Sequence, residues 1–360
     1  MTRERVVVAM SGGVDSAVAA ARVVAAGHDV IGVSLRLAPD GNGSCCSLDD
    51  FHDARAVADR LGFPHYVFDM RAVFERDVVA PFVAEYLAGR TPNPCARCNE
   101  HVKFGTLWAR ARELGATRLA TGHYARIATD PETGRRCLRA AADPAKDQTY
   151  FLFALEHEAL ARTLFPIGDL TKAEVRAEAA ALGLPVAEKP ESMEVCFVPD
   201  GDAGGFVERR AAAEALRPGR IVDATGRELG RHGGVHRFTV GQRRGLGVAA
   251  GGPARRYVRT IDAATGTVTV SDAAGLRARG LVARDVVWSS GTPPPLGASL
   301  AVRIRHRHPP VPARLAAAGD GVVHVVFTGD DGPAPTPGQA AVFYRGELVL
   351  GGGWIAEGLG

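Results

Sequence analysis

A short segment rich in glycine and serine, residues 11–16 with the sequence S-G-G-V-D-S, has the composition of a phosphate-binding loop. It lies between a strand-like apolar run and an alanine-rich helical pattern. The two glycines let the backbone approach a phosphate, the serine hydroxyls add donors, and the first N–H groups of the following helix point toward the anion. Because a carboxylate repels phosphate, we expect Asp15 to hold a magnesium ion or to order the loop.

This loop differs from the two common nucleotide-binding fingerprints. A Walker loop requires G-x-x-x-x-G-K followed by Ser or Thr, and residues 11–16 contain no lysine. A dinucleotide loop requires G-x-G-x-x-G, which residues 11–16 also lack. The sequence S-G-G-V-D-S resembles instead the loop of the ATP-pyrophosphatase superfamily, whose members cleave ATP between the α- and β-phosphates and transfer AMP to a substrate oxygen. The alternative is a glycine-rich turn with an Asp-Ser cap.

Cysteine is the second residue type that points to chemistry. Six cysteines in 360 residues are too few for a disulfide scaffold, and their spacing is uneven. Cys95 and Cys98 form a C-x-x-C in a loop that two prolines stiffen, immediately before a predicted helix. The helix N-terminus and the neighbouring Arg97 favour the thiolate form of Cys98. Cys196 lies far along the chain, where folding could bring it against the C-x-x-C.

Three interpretations of these thiols compete. Cys98 and Cys196 could be a catalytic pair, one bearing a persulfide and the other resolving it. Cys95, Cys98 and Cys196 could instead hold three irons of a 4Fe–4S cluster, leaving the fourth iron to carry sulfur. They could also be unrelated buried thiols. A structural zinc site is disfavoured because the sequence offers no fourth ligand nearby. The stiff loop and the phosphate loop together favour a chemical role.

The elements that position these residues follow from the hydrophobic pattern. Strand and helix patterns alternate through the first half of the chain, which predicts a doubly wound parallel α/β sheet covered on both faces. The predicted strands are 5–10, 30–35, 65–70 and 117–121, and the predicted helices are about 17–25, 49–61, 72–87 and 100–114. The phosphate loop then lies at the carboxyl end of the first strand, where ligands bind in such sheets.

After about residue 200 the pattern changes to short strand-like runs between turn-forming residues, which predicts a small C-terminal β-barrel. The predicted strands are 257–261, 267–270, 281–288, 301–307, 322–327, 340–344 and 347–350. We therefore divide the chain into an ATP-binding catalytic domain at 1–201, a small mixed α+β linker domain at 202–275 and the barrel at 276–360.

Bulk composition agrees with a folded protein and excludes a membrane span. The chain is 46% hydrophobic and 23% charged, with a net charge of +3 that permits an anionic partner without requiring one. No apolar run is long enough to cross a bilayer, and the first residues lead directly into a strand, so we expect a cytoplasmic protein. Arg303, Arg305 and Arg307 would share one face of a strand and suit RNA phosphates, unless they are solvated barrel surface.

Together, these segments resemble the bacterial tRNA-specific 2-thiouridylases, from the phosphate loop to the C-terminus. The resemblance is carried by A-M-S-G-G-V-D-S, G-R-T-P-N-P-x-x-x-C-N, T-G-H-Y-A, K-D-Q-T-Y-F-L, S-M-E-V-C-F-V, I-R-H-R-H and T-P-G-Q-A-A-V-F-Y. It implies a sulfurtransferase that adenylates the C2 oxygen of the wobble uridine with ATP and magnesium. A cysteine persulfide then displaces AMP, giving 2-thiouridine and pyrophosphate. The implied partners are tRNA and a persulfide donor, either a cysteine desulfurase or a sulfur-relay protein.

The resemblance also implies roles for individual positions. Cys98 is the implied nucleophile and Cys196 the implied persulfide carrier, a pair that can form a disulfide. The positions implied to contact ATP are Ala9, Met10, Ser11, Gly12, Gly13, Val14, Asp15, Ser16, Leu35 and Gly122. The positions implied to line the pocket of the flipped uridine or to contact tRNA are Asn93, Pro94, Cys95, His123, Lys146, Asp147, Gln148, Arg305, His306 and Gln339.

Some positions carry alternatives. Many family members have Asp where this chain has Cys95, and that acid is assigned a general acid–base role, so a thiol could take the role or be a third cluster ligand. Asp147 could simply cap a helix predicted at 148–155, and His123 could be an ordinary strand-end histidine. The adjacent Cys45 and Cys46 have no assigned role, and inert thiols are the default interpretation.

Two rival functions share part of these features. Another pyrophosphate-loop enzyme, such as a lysidine-type or amidotransferring synthetase, would need an amine source and would not need paired cysteines. An iron–sulfur RNA-binding protein with a regulatory ATP site would bind a cluster without turning over ATP.

A substitution at Cys95 separates the two sulfur mechanisms. If Cys98 and Cys196 are a persulfide pair, Cys95→Asp should retain thiolation, because it restores the residue that many relatives carry. A three-cysteine cluster predicts loss of both colour and activity, since aspartate replaces a thiolate on iron poorly. The measurements are 2-thiouridine formation and the visible spectrum of anaerobically purified protein. As a control, Cys98→Ala should still accept labelled sulfur on Cys196 under the pair mechanism.

Overall fold

The computed structural model describes residues 3–38, 47–191, 195–248, 255–329 and 332–360. Cys45, Cys46 and the S-M-E part of the S-M-E-V-C segment lie outside the described residues. No helix in the described ranges combines the length and apolar character that crossing a bilayer requires.

The amino-terminal half is built on a parallel sheet. Its strands are β1 Arg5–Ala9, β2 Asp29–Arg36, β3 His65–Asp69, β4 Arg118–Thr121 and β7 Thr163–Leu164. Between β4 and β7 the chain forms a separate hairpin, β5 Arg126–Thr129 and β6 Arg136–Arg139. The strand order is β3-β2-β1-β4-β7, and all four pairings are parallel. Residues 6–8 of β1 are fully buried, as expected for a continuous valine run in a sheet covered on both faces. The predicted doubly wound α/β fold is confirmed.

Helices cover this sheet, and one more helix, α9 (Ala203–Arg210), follows before the second sheet begins. The α-helices are α1 Val14–Ala25, α2 Leu48–Leu61, α3 Arg71–Phe74, α4 Ala80–Leu87, α5 Pro94–Arg97, α6 Trp108–Glu113, α7 His157–Ala161, α8 Lys172–Ala181 and α9 Ala203–Arg210. Glu75–Val79 is π-helical and joins α3 to α4, and Cys98–Leu107 is π-helical and joins α5 to α6. Short 3₁₀ turns occur at Thr149–Phe151, Ala213–Ala215, Val235–Arg237 and Ala274–Leu276.

A small second sheet follows. Its strands are β8 Gly219–Val222, β9 Glu228–His232, β10 Tyr257–Asp262 and β11 Thr267–Ser271, in the order β10-β11-β8-β9. The predicted hairpin corresponds to the antiparallel pair β10 and β11. Ile221, Val258 and Val268 are fully buried and form the centre of a core that belongs to this sheet.

The remaining strands close into a barrel. They are β12 Gly280–Trp288, β13 Ser299–Arg303, β14 Val311–Gly319, β15 Val322–Phe327, β16 Ala340–Arg345 and β17 Leu348–Leu359. The order β12-β15-β14-β13-β16-β17 is closed by pairing of β12 with β17, which confirms the predicted barrel. Strand β17 also pairs with β6 at Leu348 and Arg139, so the hairpin β5–β6 extends the barrel sheet. The sequence pattern did not predict that connection.

Two predicted elements are wrong. The strand predicted at 301–307 ends at Arg303, because the chain turns at 304–308 with a backbone bond from His308 to Arg305. Pro309 and Pro310, which lack N–H groups for a ladder, come next. The three arginines therefore do not share one strand face. The helix predicted at 148–155 is only the 3₁₀ turn Thr149–Phe151.

A buried ion pair joins the barrel to the first domain. The carboxylate of Asp147 lies 3.1 Å from the guanidinium of Arg303 on β13, and its side chain is only 5% exposed. The same carboxylate accepts hydrogen bonds from the N–H of Ala141 and the hydroxyl of Thr149. A buried charge is tolerated only when paired and hydrogen-bonded, so this contact fixes the relative position of the two domains.

Removing the acid should weaken that joint. We expect Asp147→Ala to destabilise the protein by about 3 kcal/mol, because it leaves the Arg303 guanidinium without its carboxylate. Thermal unfolding followed by circular dichroism measures the effect. Arg314→Ala, on the exposed side of β14, is the matched control and should melt like the parent chain. An Asp147→Ala melting curve that overlays the parent curve would contradict the structural role.

Candidate active site

A cavity of about 970 Å³ lies at the carboxyl ends of β1, β2 and β4. The phosphate loop follows β1, Gly122 follows β4, and Leu35 lies near the end of β2; all contribute to its wall. From β1 the chain builds the sheet outward through β2 to β3 on one side, and it then continues with β4 on the other side of β1. Ligands of doubly wound sheets bind at such a switch point.

The loop has the geometry of an anion cradle. Gly12 has a φ of +73°, and a Cβ there would lie 2.3 Å from the carbonyl oxygen of Asp50, so only glycine fits. The hydroxyl of Ser16 accepts from the N–H of Ser11 at 3.2 Å and donates to the carbonyl of Gly13 at 3.0 Å. Among the described residues, no side chain caps the start of α1 at Gly13. The amino end of this helix is therefore available to an anion.

Gly122 brings the next strand against the loop. A Cβ at this position would lie 2.7 Å from the backbone carbon of Asp15 and the backbone nitrogen of Ser16. The absence of a side chain allows the chain that leaves β4 to lie against the first turn of α1.

An ion-pair network covers one side of the loop. The carboxylate of Asp15 accepts from the hydroxyl of Tyr124 at 2.8 Å and from the ammonium of Lys172 at 2.7 Å. Lys172 also lies 2.6 Å from Glu191, whose second oxygen is 2.6 Å from Lys146. Hydrogen bonds from Lys146 and Lys172 lower the pKa of Glu191 to about 2, so it is ionised at neutral pH. Burial and the neighbouring Asp15 raise the pKa of Tyr124, which keeps its hydroxyl a donor.

A third lysine, Lys189, pairs with α2 beside the loop. Lys189 is 2.7 Å from Asp50 and also pairs with Asp53, both on α2. Burial opposes ionisation of Asp50, but the bonds from Lys189 and Ser47 outweigh it and lower the pKa of the carboxyl. Sequence reasoning missed all of these lysine contacts, because each joins residues far apart in the chain.

The three candidate thiols all line this cavity. Cys98 is 8% exposed at the start of the π-helical stretch, Cys95 is exposed and Cys196 is partly exposed. In the described residues, no three Cys, His, Asp or Glu side chains are grouped so that they could hold a metal ion. The arrangement does not fit a cluster held by Cys95, Cys98 and Cys196. Cys137 lies outside the cavity, and burial raises the pKa of its thiol to about 11.

The barrel holds the first residues of the cysteine loop, residues 91–99, which carries Cys95 and Cys98. The amide of Gln339 donates to the carbonyls of Thr91 and Pro92 at 2.9 and 3.1 Å. The N–H of Thr91 donates to the carbonyl of Pro337 at 2.8 Å. At the other end of the loop, Asn93 caps α5 by accepting from the N–H of Ala96. The loop is therefore fixed by two domains.

Aromatic packing holds the Cys196 segment. The ring of Phe197 makes edge contacts with Phe74 and Phe82 and a tilted contact with Phe206, at centroid distances of 5.6, 5.0 and 5.2 Å. These contacts anchor the residue next to Cys196 in the core of the first domain. Sequence alone could not separate these phenylalanines from ordinary core residues.

Comparison with known proteins gives the family. A tRNA methyl transferase HUP domain model matches residues 4–200, a tRNA methyl transferase PRC-barrel domain model matches 205–272, and an aminomethyltransferase β-barrel domain model matches 278–355. The tRNA-specific 2-thiouridylase MnmA of Geotalea uraniireducens is 51% identical, over 98% of this chain and 95% of that protein. MnmA of Solibacter usitatus is 50% identical, over 99% of this chain and 100% of that protein. The chain belongs to the tRNA-specific 2-thiouridylase family.

A solved structure is also similar, though distantly. The U34-tRNA thiolase NcsA from Methanococcus maripaludis with its 4Fe–4S cluster aligns with a TM-score of 0.36 and 18% identity, over 57% of this chain and 65% of that chain. A superposition this loose supports no statement about function or cofactor.

In this member of the 2-thiouridylase family, the ATP candidates except Gly12 line the cavity. So do seven of the tRNA candidates: Pro94, Cys95, His123, Lys146, Asp147, Gln148 and His306. Asn93, Arg305 and Gln339 do not line it. Half-buried Arg305 instead donates to the hydroxyl of Thr336 and the carbonyl of Val240, which ties the barrel to the segment between β9 and β10.

Two histidines of the cavity wall are neutral. Burial lowers the pKa of His123 well below its ordinary value, and its Nδ1 lies 2.8 Å from the hydroxyl of Thr121. Burial also lowers the pKa of His306, whose Nε2 donates to the carbonyl of Asp147 at 3.2 Å. Neutral rings of this kind suit stacking or hydrogen bonding with a base better than phosphate binding.

Asn99 is a further residue of the wall that sequence reasoning did not select. It is 3% exposed, and its Nδ2 donates to the carbonyl of Phe151 at 3.0 Å, which fixes the orientation of the amide. Its Oδ1 is buried with no hydrogen-bond partner among the described residues. Such an atom is rare in a folded core, and here it belongs to a residue of the cavity wall.

Gln339 offers a test of the loop's support. We expect Gln339→Ala to lower the rate of thiolation by about 10-fold or more, because Cys98 and Pro94 lose their fixed placement. The affinity for ATP and for tRNA should stay unchanged, since neither ligand loses a direct contact. Single-turnover rates and filter-binding constants separate the two effects. A weaker tRNA affinity with an unchanged rate would instead make Gln339 a direct tRNA contact.

Proposed function

We propose that this chain is a tRNA 2-thiouridylase that adenylates the C2 oxygen of the wobble uridine and replaces that oxygen with sulfur. One observation carries the proposal: an uncapped phosphate loop and three cysteines line the same cavity. A phosphate loop alone would suit many nucleotide-binding proteins, and cysteines alone would suit many redox proteins. Together they supply both halves of an ATP-driven sulfur transfer.

The first half is activation. A uridine C2 carbonyl is a poor electrophile and its oxygen a poor leaving group, and transfer of AMP to that oxygen corrects both. The loop and the amino end of α1 would bind the phosphates, and Asp15 would hold magnesium through its carboxylate. Magnesium would neutralise phosphate charge there. Asp15 fits this task, since its side chain is about one-third exposed at the cavity wall and already binds a cation, Lys172.

The second half is sulfur transfer. The terminal sulfur of a persulfide on Cys196 attacks the adenylated C2, a C–S bond forms, and AMP leaves with the oxygen. The Cys98 thiolate then attacks the Cys196 sulfur, which breaks the S–S bond to the substrate sulfur and leaves it as the thiocarbonyl. The electrons for this step come from oxidation of the two cysteines to a disulfide. A thiol reductant and a persulfide donor must restore the site before the next turnover.

Cys95 is the third thiol of the cavity. Cys95 is exposed on α5, the short helix that leads directly to Cys98. We assign it to the substrate pocket, whose wall it lines, and not to a metal cluster, since no three such ligands are grouped among the described residues.

The RNA must present an unstacked base to this cavity. A space of about 970 Å³ is large enough for a nucleotide and a flipped base together. Its wall carries several cations suited to phosphates, namely Lys103, Lys146, Lys172, Lys189 and Arg307. Methyl transfer, which the matched domain descriptions mention, would need neither the phosphate loop nor the cysteines.

The reaction products test this proposal. With tRNA present, the chain should convert ATP to AMP and pyrophosphate, with one AMP for each 2-thiouridine, because cleavage falls between the α- and β-phosphates. Chromatography of ATP labelled at the α- or γ-phosphate distinguishes these products from ADP. Asp15→Ala should abolish AMP formation through loss of magnesium or loop order. ADP as the main product, or normal thiolation by Asp15→Ala, would overturn the assignment of the loop.

A further inference from the structure

The phosphate loop contains no lysine, yet a lysine from a distant part of the chain reaches it. The ammonium of Lys172, the first residue of α8, lies 2.7 Å from the Asp15 carboxylate. Thr171 and Glu174 form a capping box that fixes the start of α8, and the N–H of Lys172 donates to Asp143 at 3.0 Å. The backbone that carries the lysine is therefore held in place from both sides.

We propose that Lys172 binds the β- and γ-phosphates of ATP and then the departing pyrophosphate. It would supply from α8 the charge that a Walker loop carries within itself. The inference rests on the proposed adenylation, because that reaction leaves AMP on the base and develops negative charge on the pyrophosphate. A fixed cation at the leaving group stabilises that charge where it forms.

The surroundings of Lys172 permit it to change partners at low cost. Each of its two carboxylates has a second partner: Asp15 keeps the hydroxyl of Tyr124, and Glu191 keeps the ammonium of Lys146. When the lysine turns to a phosphate, neither acid is left as an isolated buried charge. The side chain of Lys172 is only 13% exposed, so its interaction with an anion is weakly screened by water.

The other lysine beside the loop is less suited to the role. Lys189 is bound by two carboxylates of α2, Asp50 and Asp53, and neither belongs to the loop. Lys172 is bound by a residue of the loop itself, Asp15. The ammonium of Lys172 is thus held at the phosphate loop, whereas the ammonium of Lys189 is held at α2.

The affinities of three ligands test the proposal, measured on the full chain with magnesium present. Calorimetry gives the Kd for α,β-methylene ATP, which cannot be cleaved at the adenylation bond, for pyrophosphate and for AMP. Lys172→Gln should weaken the first two by about 30-fold, roughly 2 kcal/mol, and leave AMP nearly unchanged. Lys172→Arg should recover part of the loss, because it restores the charge.

Glu178→Gln is the matched control for the calorimetry. Glu178→Gln, on the same helix and paired with Arg22 away from the cavity, should bind all three ligands normally. An equal loss of all three ligands in Lys172→Gln would show that the lysine only orders the loop, and no loss would exclude it as a ligand. A parent chain that binds α,β-methylene ATP but forms no 2-thiouridine would overturn the proposed function while leaving the assignment of Lys172 intact.

Discussion

The close contact between the ends of two parallel strands is the constraint on which the site depends. Ala9 of β1 lies in register with Thr121 of β4, so the residues that follow each strand leave the sheet side by side. Gly122 makes this tolerable, because a Cβ there would collide with the backbone of the phosphate loop. From this contact follow the positions of Tyr124, whose hydroxyl reaches Asp15, and of Gln148, whose side chain accepts from the N–H of Tyr124.

The barrel contributes to the same site without supplying a thiol. Its turn before β16 holds the cysteine loop through Gln339, and Arg303 on β13 pairs with the buried Asp147. Its strand β17 accepts β6 as a neighbour. These contacts tie the barrel both to the loop that carries Cys95 and Cys98 and to Asp147 in the cavity wall. The barrel is therefore also part of the frame of the active site.

The parts of this structure that sequence predicts are the local ones. The valine run of β1 and the glycines of the loop predict strand, loop and helix because each signal lies within a few residues. The pattern fails where partners are distant, as with Lys172 beside Asp15 or the hairpin β5–β6 beside β17. It also fails where a local signal is ambiguous: a π-helical stretch such as Cys98–Leu107 has nearly the apolar pattern of an α-helix, and the alternating residues at 301–307 continued a strand pattern past its real end at Arg303.

The charges in the cavity wall explain why the lysines can be held so close together. Lys146 and Lys172 share Glu191, and Lys172 also contacts Asp15, so two cations are balanced by two anions. Without the acids, the lysines would repel each other and α8 would be pushed from the loop. Glu191 also lies only a few residues before Cys196 in the chain. The ion pairs beside the phosphate loop thus hold in place a residue that precedes Cys196 by five positions in the chain, and both residues line the same cavity.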